Sequence, residues 1–433
     1  MIKSLVNRVK GKGNITSLLS NIVSAFANFF VFFVLVRIVS PTVFGNWVLF
    51  LTLAALTDMF RLGLTGTAAI RLLAEKPDEN KIIIGSSYYI SFKITLIIAV
   101  ISLPVALILM NFIGLNAYVL FLLYYPLLAL ANLPLNQALV NMQGYVNFKN
   151  VFFIRTIQGI LTIISVLGCI FFISKSIHII ILAYTFAQLF TSLFVLIRQW
   201  DQLASIKHYS KNVVTEILTF GKYSTLGFVG SNLLRSADSI IISMAPTMGV
   251  TAIAIYAIPL KFVELVEIPL RSFNATALPR LTRALTDGNA HFMKVLLGYT
   301  LWTIILVLPA ILLLAIFPSY LLQFLGGNNY LNVRELQIGI TYVLCIYIFL
   351  LPLDRYSGVA LFALNKPKEN VIKIFVMLFF NIIFDIIAVF VLKSLLWVAI
   401  ASVIFTLVGI FLGWAIVFAI TKYKLKNTKL NDL

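Results

Sequence analysis

From residue 15 to residue 420 the chain alternates long apolar runs with short breaks of charge, glycine or proline. Runs of this length read as membrane-spanning helices. A hydrocarbon core about 30 Å thick takes about 20 residues at 1.5 Å rise each. Twelve spans are predicted, at 15–39, 45–71, 83–111, 116–144, 149–173, 177–197, 218–244, 250–278, 291–318, 334–363, 370–392 and 395–420. Pro104, Pro126, Pro134, Pro259, Pro269, Pro309 and Pro352 fall inside them and are expected to kink them. Membrane helices tolerate proline because neighbouring groups re-satisfy the freed carbonyls.

Sliding the chain on itself by 209 residues sets Trp47 on Tyr256, Asp58 on Glu267 and Arg71 on Arg280. The halves thus read as a parallel internal repeat. The expected fold is all-α and integral to the membrane, with two six-helix lobes at 1–200 and 218–433 joined by a cytoplasmic linker at 201–217.

Composition agrees: 61% of residues are apolar and 11% charged, against about 45–50% and about 25% in soluble chains. The formal charge of +18 would suit nucleic acid on a soluble fold, but no soluble segment is long enough to carry a basic face. It reads instead as topology. With the twelve spans in place and charges near a span's end counted with the adjoining loop, 23 of the 33 Lys and Arg fall on the side of the termini, four on the opposite side (Arg37, Lys175, Arg334, Lys393) and six deeper within spans. By the positive-inside rule both termini are cytoplasmic. The basic start MIKSLVNRVKGKG leads into a run too long for a signal core, so it is expected to be retained. Cys169 and Cys345 sit in apolar runs and read as buried small hydrophobes.

Charges within spans are costly and mark pathways or paired sites. The cations are Arg61, Lys93, Arg235, Lys261, Arg271 and Arg355; the acids include Asp58, Asp238, Glu264, Glu267, Asp354 and Asp385. Lys261, Glu264, Glu267, Arg271 and Asn274 share a wedge of about 140° on one helix. Ser231, Asn232, Arg235, Asp238 and Ser239 share about 120° on the preceding one. Asn46, Thr57, Asp58, Arg61 and Thr65 form a stripe of similar width in the first half, beside an uncharged stripe of Ser17, Asn21, Ser24 and Asn28. Stripes on repeat-related helix pairs imply a wet cavity between the lobes. The plainer alternative is structural ion pairing, with Asp58–Arg61 and Glu267–Arg271 at i,i+3 and i,i+4. Arg155, Gln158, Thr162 and Ser165 form a further stripe near a cytoplasmic helix end, and Lys93 is placed to snorkel.

No GxxxxGK[ST] phosphate loop, nucleophile elbow or metal-ligand cluster is present. The chain is expected to be no enzyme and to need no cofactor, with a proton or sodium gradient as the energy source left open.

The segment Arg37-Ile-Val-Ser40-Pro41-Thr-Val-Phe44-Gly45 resembles the R-x-x-S-P-x-x-F-G turn of polysaccharide-biosynthesis flippases. These are the Wzx-type O-antigen and lipid-linked repeat-unit translocases of the multidrug/oligosaccharidyl-lipid/polysaccharide (MOP) exporter superfamily. Asp58, Gly63, Asp238, Ala254-Ile-Tyr256 and Leu278-Pro279-Arg280-Leu281 extend the resemblance, while Trp47 stands where tyrosine is common. The resemblance implies two six-helix bundles around a cationic cavity that opens alternately to either side. It implies a polyprenyl-diphosphate-linked glycan as cargo, a monomer in the bacterial inner membrane, and a polysaccharide polymerase and glycosyltransferases as partners. Arg61, Arg235, Lys261 and Arg271 would hold the diphosphate and any acidic sugars, with Arg355 a further substrate-binding candidate. Asn28, Asn232 and Asn274 would meet the sugar, and Asp58, Asp238, Glu264 and Glu267 are the ion-coupling candidates. A multidrug antiporter of the same superfamily and a membrane polymerase or ligase are the competing readings.

Overall fold

The computed structural model describes residues 12–246 and 248–431, and among them there is no strand. Every predicted span coincides with helix. In chain order the helices are α1 (Lys12–Ile38), α2 (Pro41–Gly63), α3 (Gly66–Glu75), α4 (Asn80–Ile113), α5 (Ala117–Ala131), α6 (Leu133–Gly144), α7 (Phe148–Phe172) and α8 (Ile177–Ile197). They continue with α9 (Lys211–Met244), α10 (Gly249–Thr286), α11 (Asn289–Ile316), α12 (Pro318–Gly326), α13 (Arg334–Ala363), α14 (Pro367–Ile386) and α15 (Leu395–Asn431). Two predicted spans are broken. The second divides into α2 and α3 around Leu64–Thr65, and the fourth bends by 48° between α5 and α6 at Asn132, just before Pro134. In contrast, α10 runs on through Pro259, Pro269 and Pro279.

By length and apolarity ten of the described helical segments can cross a membrane, or eleven with the bent pair taken as one span. The span predicted at 218–244, within α9, is outside that set. Its stripe of Ser231, Asn232, Arg235 and Asp238 dilutes the apolar surface.

The turn at residues 37–45 has a local physical cause. Ser40 caps α2, its hydroxyl accepting from Val43 N–H at 3.3 Å, and Pro41 takes the first turn, where no N–H is needed. Phe44 is then buried, with its ring edge-on to Phe32 at 5.0 Å.

The chain forms two compact units, Met1–Val229 and Gly230–Leu433. In the first, α1 packs along α7, α7 on α8, and α4 on α5. Residues 198–210 are fastened to this unit. Asn141 donates to the Trp200 and Asp201 carbonyls at 3.2 and 2.8 Å, and Tyr89 stacks on Tyr209 at 4.3 Å. Gly85 lies so close to Ser205 that any side chain there would strike its carbonyl oxygen.

In the second unit α13 is central, packing on α10, α11 and α15. One charge assignment is corrected here. Lys373, inside the predicted span 370–392 but counted with the adjoining cytoplasmic cations, lies within α14 at 3% side-chain exposure. Its ammonium bonds Asp354 Oδ1 at 2.7 Å, the Asp354 carbonyl at 3.0 Å and Ser357 Oγ at 3.0 Å. A lysine can enter a helix interior when all three of its N–H donors find oxygen partners.

Candidate functional site

The predicted polar residues separate into four groups. The first is closed. Arg61 is completely buried, its guanidinium bonding Asp58 Oδ1 at 2.7 and 3.2 Å, Thr95 Oγ1 at 3.1 Å and the Ala129 carbonyl at 2.9 Å. Tyr125 donates to the same Asp58 oxygen at 2.9 Å. This node ties α2 to α4 and α5, and Arg61 presents no surface to a ligand. The i,i+3 pair expected from spacing forms here.

The second group is open. Glu267 on α10 has a side chain only 6% exposed, and it bonds two arginines from two other helices. Arg235 of α9 reaches Oε2 at 3.2 Å, and Arg355 of α13 reaches Oε1 at 2.8 Å. Their side chains are 42% and 43% exposed. Two guanidiniums against one carboxylate leave a net positive charge and unused N–H donors at the surface. Arginine's planar fork suits phosphate oxygens. Spacing offered Glu267–Arg271 as a pair along one helix; the structure adds two arginines from other helices. The side chain of Arg271 lies outside the described residues. Lys261 and Glu264, earlier on α10, pair at 2.8 Å.

The third group is buried and acidic. Asp238 of α9 and Asp385 of α14 are 6% and 0% exposed. Asn381 Nδ2 bridges them, at 3.2 Å to Asp238 Oδ1 and 3.1 Å to Asp385 Oδ2. Tyr256 and Ser402 donate to Asp238 Oδ2 at 3.0 and 3.2 Å. Asn381 Oδ1 and Asp385 Oδ1 are buried acceptors without a hydrogen-bond partner. Sequence reasoning singled out Asp238 but left its companions unassigned. Asn381 and Asp385 are one helical turn apart, which is a legible signal; Tyr256 and Ser402 join only through packing.

The fourth group is scattered. Asn28 is exposed on α1, while Asn232 and Asn274 are half-buried, and the Asn274 Oδ1 atom is buried with no partner. A cleft of about 430 Å³ between α3 and the start of α9 is a weaker candidate for an anion. Its cation Arg71 is matched by Glu75 at 2.6 Å, and nearby Lys76 by Glu216 at 3.0 Å. Hydrogen bonding to Glu216 holds the Lys76 ammonium above the usual lysine range.

Comparison with known proteins fits this picture. The fold is similar to that of an inward-facing multidrug resistance MATE transporter of the MOP superfamily, at 16% identity and TM-score 0.72, over 94% of this chain and 96% of that one. An outward-facing MATE transporter matches at 14% identity and TM-score 0.65, over 94% of each chain. A MOP transporter from Pyrococcus furiosus, described as having a binding pocket of reverse polarity, matches at 15% identity and TM-score 0.65, also over 94% of each. No curated protein sequence matches. The family model for polysaccharide biosynthesis proteins matches residues 11–285, more than half of the chain. The chain therefore belongs to the polysaccharide biosynthesis protein family and is an all-α, multi-pass membrane protein whose fold is similar to that of MOP transporters.

Proposed function

We propose that the protein flips a polyprenyl-diphosphate-linked oligosaccharide, the repeat unit of a surface polysaccharide, across the bacterial inner membrane by alternating access, with both termini cytoplasmic. The observation that carries this reading is the Arg235–Glu267–Arg355 cluster. Two half-exposed arginines share one buried carboxylate, so a diphosphate can take over both forks and leave Glu267 to accept them again on release. Family membership supports a glycan cargo. Drug export fits less well, because the acid-rich group is almost closed to solvent and leaves no surface for an organic cation.

Of the four ion-coupling candidates, Asp58 and Glu267 are held by arginines and Glu264 by Lys261. Asp238 stands apart. Two buried carboxyl groups with no cation among their described partners need neutralising. A proton or a sodium ion would do so, drawing on the unpartnered Asp385 and Asn381 oxygens.

The test is translocation of a fluorescent polyprenyl-diphosphate oligosaccharide in proteoliposomes. Arg235→Gln and Arg355→Gln should abolish flipping while insertion stays normal, and Arg→Lys at either position should be milder but not silent. Normal flipping by both Gln variants would overturn the reading.

A further inference from the structure

The stripe of Arg155, Gln158 and Thr162 on α7 is unused by the mechanism above, yet it is built with care. Thr162 and Gln188 are buried at 4% and 1% exposure. Gln158 Nε2 donates to Gln188 Oε1 at 2.7 Å, and Gln188 Nε2 donates to Thr162 Oγ1 at 3.3 Å. Thr162 in turn donates to the Gln158 carbonyl at 2.7 Å. This loop between α7 and α8 fixes which way the Gln158 amide faces, so its Oε1 is turned to Arg155, whose Nη1 donates to it at 3.3 Å. That is the one hydrogen bond Arg155 makes among the described residues, and no ion pair joins it. An arginine has five N–H donors. Most of those on this half-buried side chain remain available. Tyr184 of α8 lies within electrostatic reach of Arg155, and its ring is braced edge-on by Trp47 at 5.3 Å.

The contrast with five other cations inside the helices is informative. Arg61, Arg235, Lys261, Arg355 and Lys373 each have a carboxylate within 3.2 Å. Arg155 is held by neutral amides, which orient its charge without cancelling it. A positioned, uncompensated guanidinium in a low-dielectric setting favours an oxyanion partner.

Resting on the flippase reading, we propose that Arg155 is a second anion site, in the Met1–Val229 unit, which takes an acidic group on the glycan. That group is an oxyanion such as a uronate carboxylate or a phosphate substituent, distinct from the lipid diphosphate. Arg155 would then set which glycans are accepted, and Gln158 would be its positioning residue.

The experiment uses the purified full-length protein in detergent and two probes with the same short polyprenyl diphosphate. One carries a disaccharide ending in glucuronic acid, the other a disaccharide ending in glucose. Wild type is expected to bind the acidic conjugate roughly tenfold more tightly, the worth of one charge-assisted bond. Arg155→Gln should remove that preference and leave the neutral conjugate's affinity unchanged. Arg155→Lys should keep part of it. Arg235→Gln should weaken both conjugates alike. The proposal is overturned if wild type shows no preference, if Arg155→Gln keeps it, or if Arg155→Gln weakens both probes equally. Failure of wild type to bind either conjugate sinks the flippase reading itself, and this site with it. Arg155 makes one recorded hydrogen bond, so its variants should fold, and an unchanged melting temperature checks this.

Discussion

Replacing Glu267 by Gln separates a competing carboxylate from a merely structural one. Gln keeps the size and one oxygen acceptor but removes the charge that holds Arg235 at 3.2 Å and Arg355 at 2.8 Å. A hydrogen bond to a charged group contributes about 1.5–3 kcal/mol. Both arginines are about two-fifths exposed, so solvent screening brings each contact to roughly 1 kcal/mol. An incoming diphosphate that takes both forks must give up about 2 kcal/mol of ion pairing, a factor of roughly 30 in affinity. Glu267→Gln is therefore expected to bind farnesyl diphosphate about ten- to thirtyfold more tightly in titration calorimetry. The gap should narrow as salt is raised. Flipping in proteoliposomes should slow, because nothing recaptures the arginines when the anion leaves. Equal or weaker binding by the variant would refute the competition and leave Glu267 as a positioning residue.

Three further outcomes are expected. Reporter fusions after the first, third, fifth, seventh, ninth and eleventh predicted spans should read external and those after even spans cytoplasmic; two successive fusions on one side would remove the twelve-span topology. Gly413→Ala should destabilise the Gly230–Leu433 unit by about 1–3 kcal/mol, because the new methyl overlaps Ser357 Oγ beside Lys373; an unchanged thermal midpoint would refute that packing. Asp201→Asn should raise the thermal midpoint at neutral pH. Burial holds the Asp201 carboxyl above its usual 3.8, so the folded state binds its proton more tightly than the unfolded chain. This contribution is present in acid and is lost as pH rises through the folded value. The advantage of Asn should vanish towards pH 4, and a gap independent of pH would count against burial as the cause.

Helix positions and the all-α membrane class were legible in the chain because each rests on local information. Apolar length follows from bilayer thickness, and Ser40-Pro41 caps a helix from its own sequence. Spacing also foresaw Asp58–Arg61, since i,i+3 neighbours on one helix need no tertiary knowledge. What lies across helices was decided by packing. Lys373 falls inside the predicted span 370–392 but was counted with the cytoplasmic charges because it lies near the span's edge, yet its helix turns it onto Asp354. Arg61, Arg235 and Arg355 read alike as cations in apolar runs, but Arg61 is sealed by Thr95 and Ala129, while the other two remain open around Glu267. Periodicity gives the direction a side chain leaves its own helix. Whether it meets a carboxylate, a carbonyl or open space depends on what the neighbouring helix presents at that height, and only the tertiary structure fixes that.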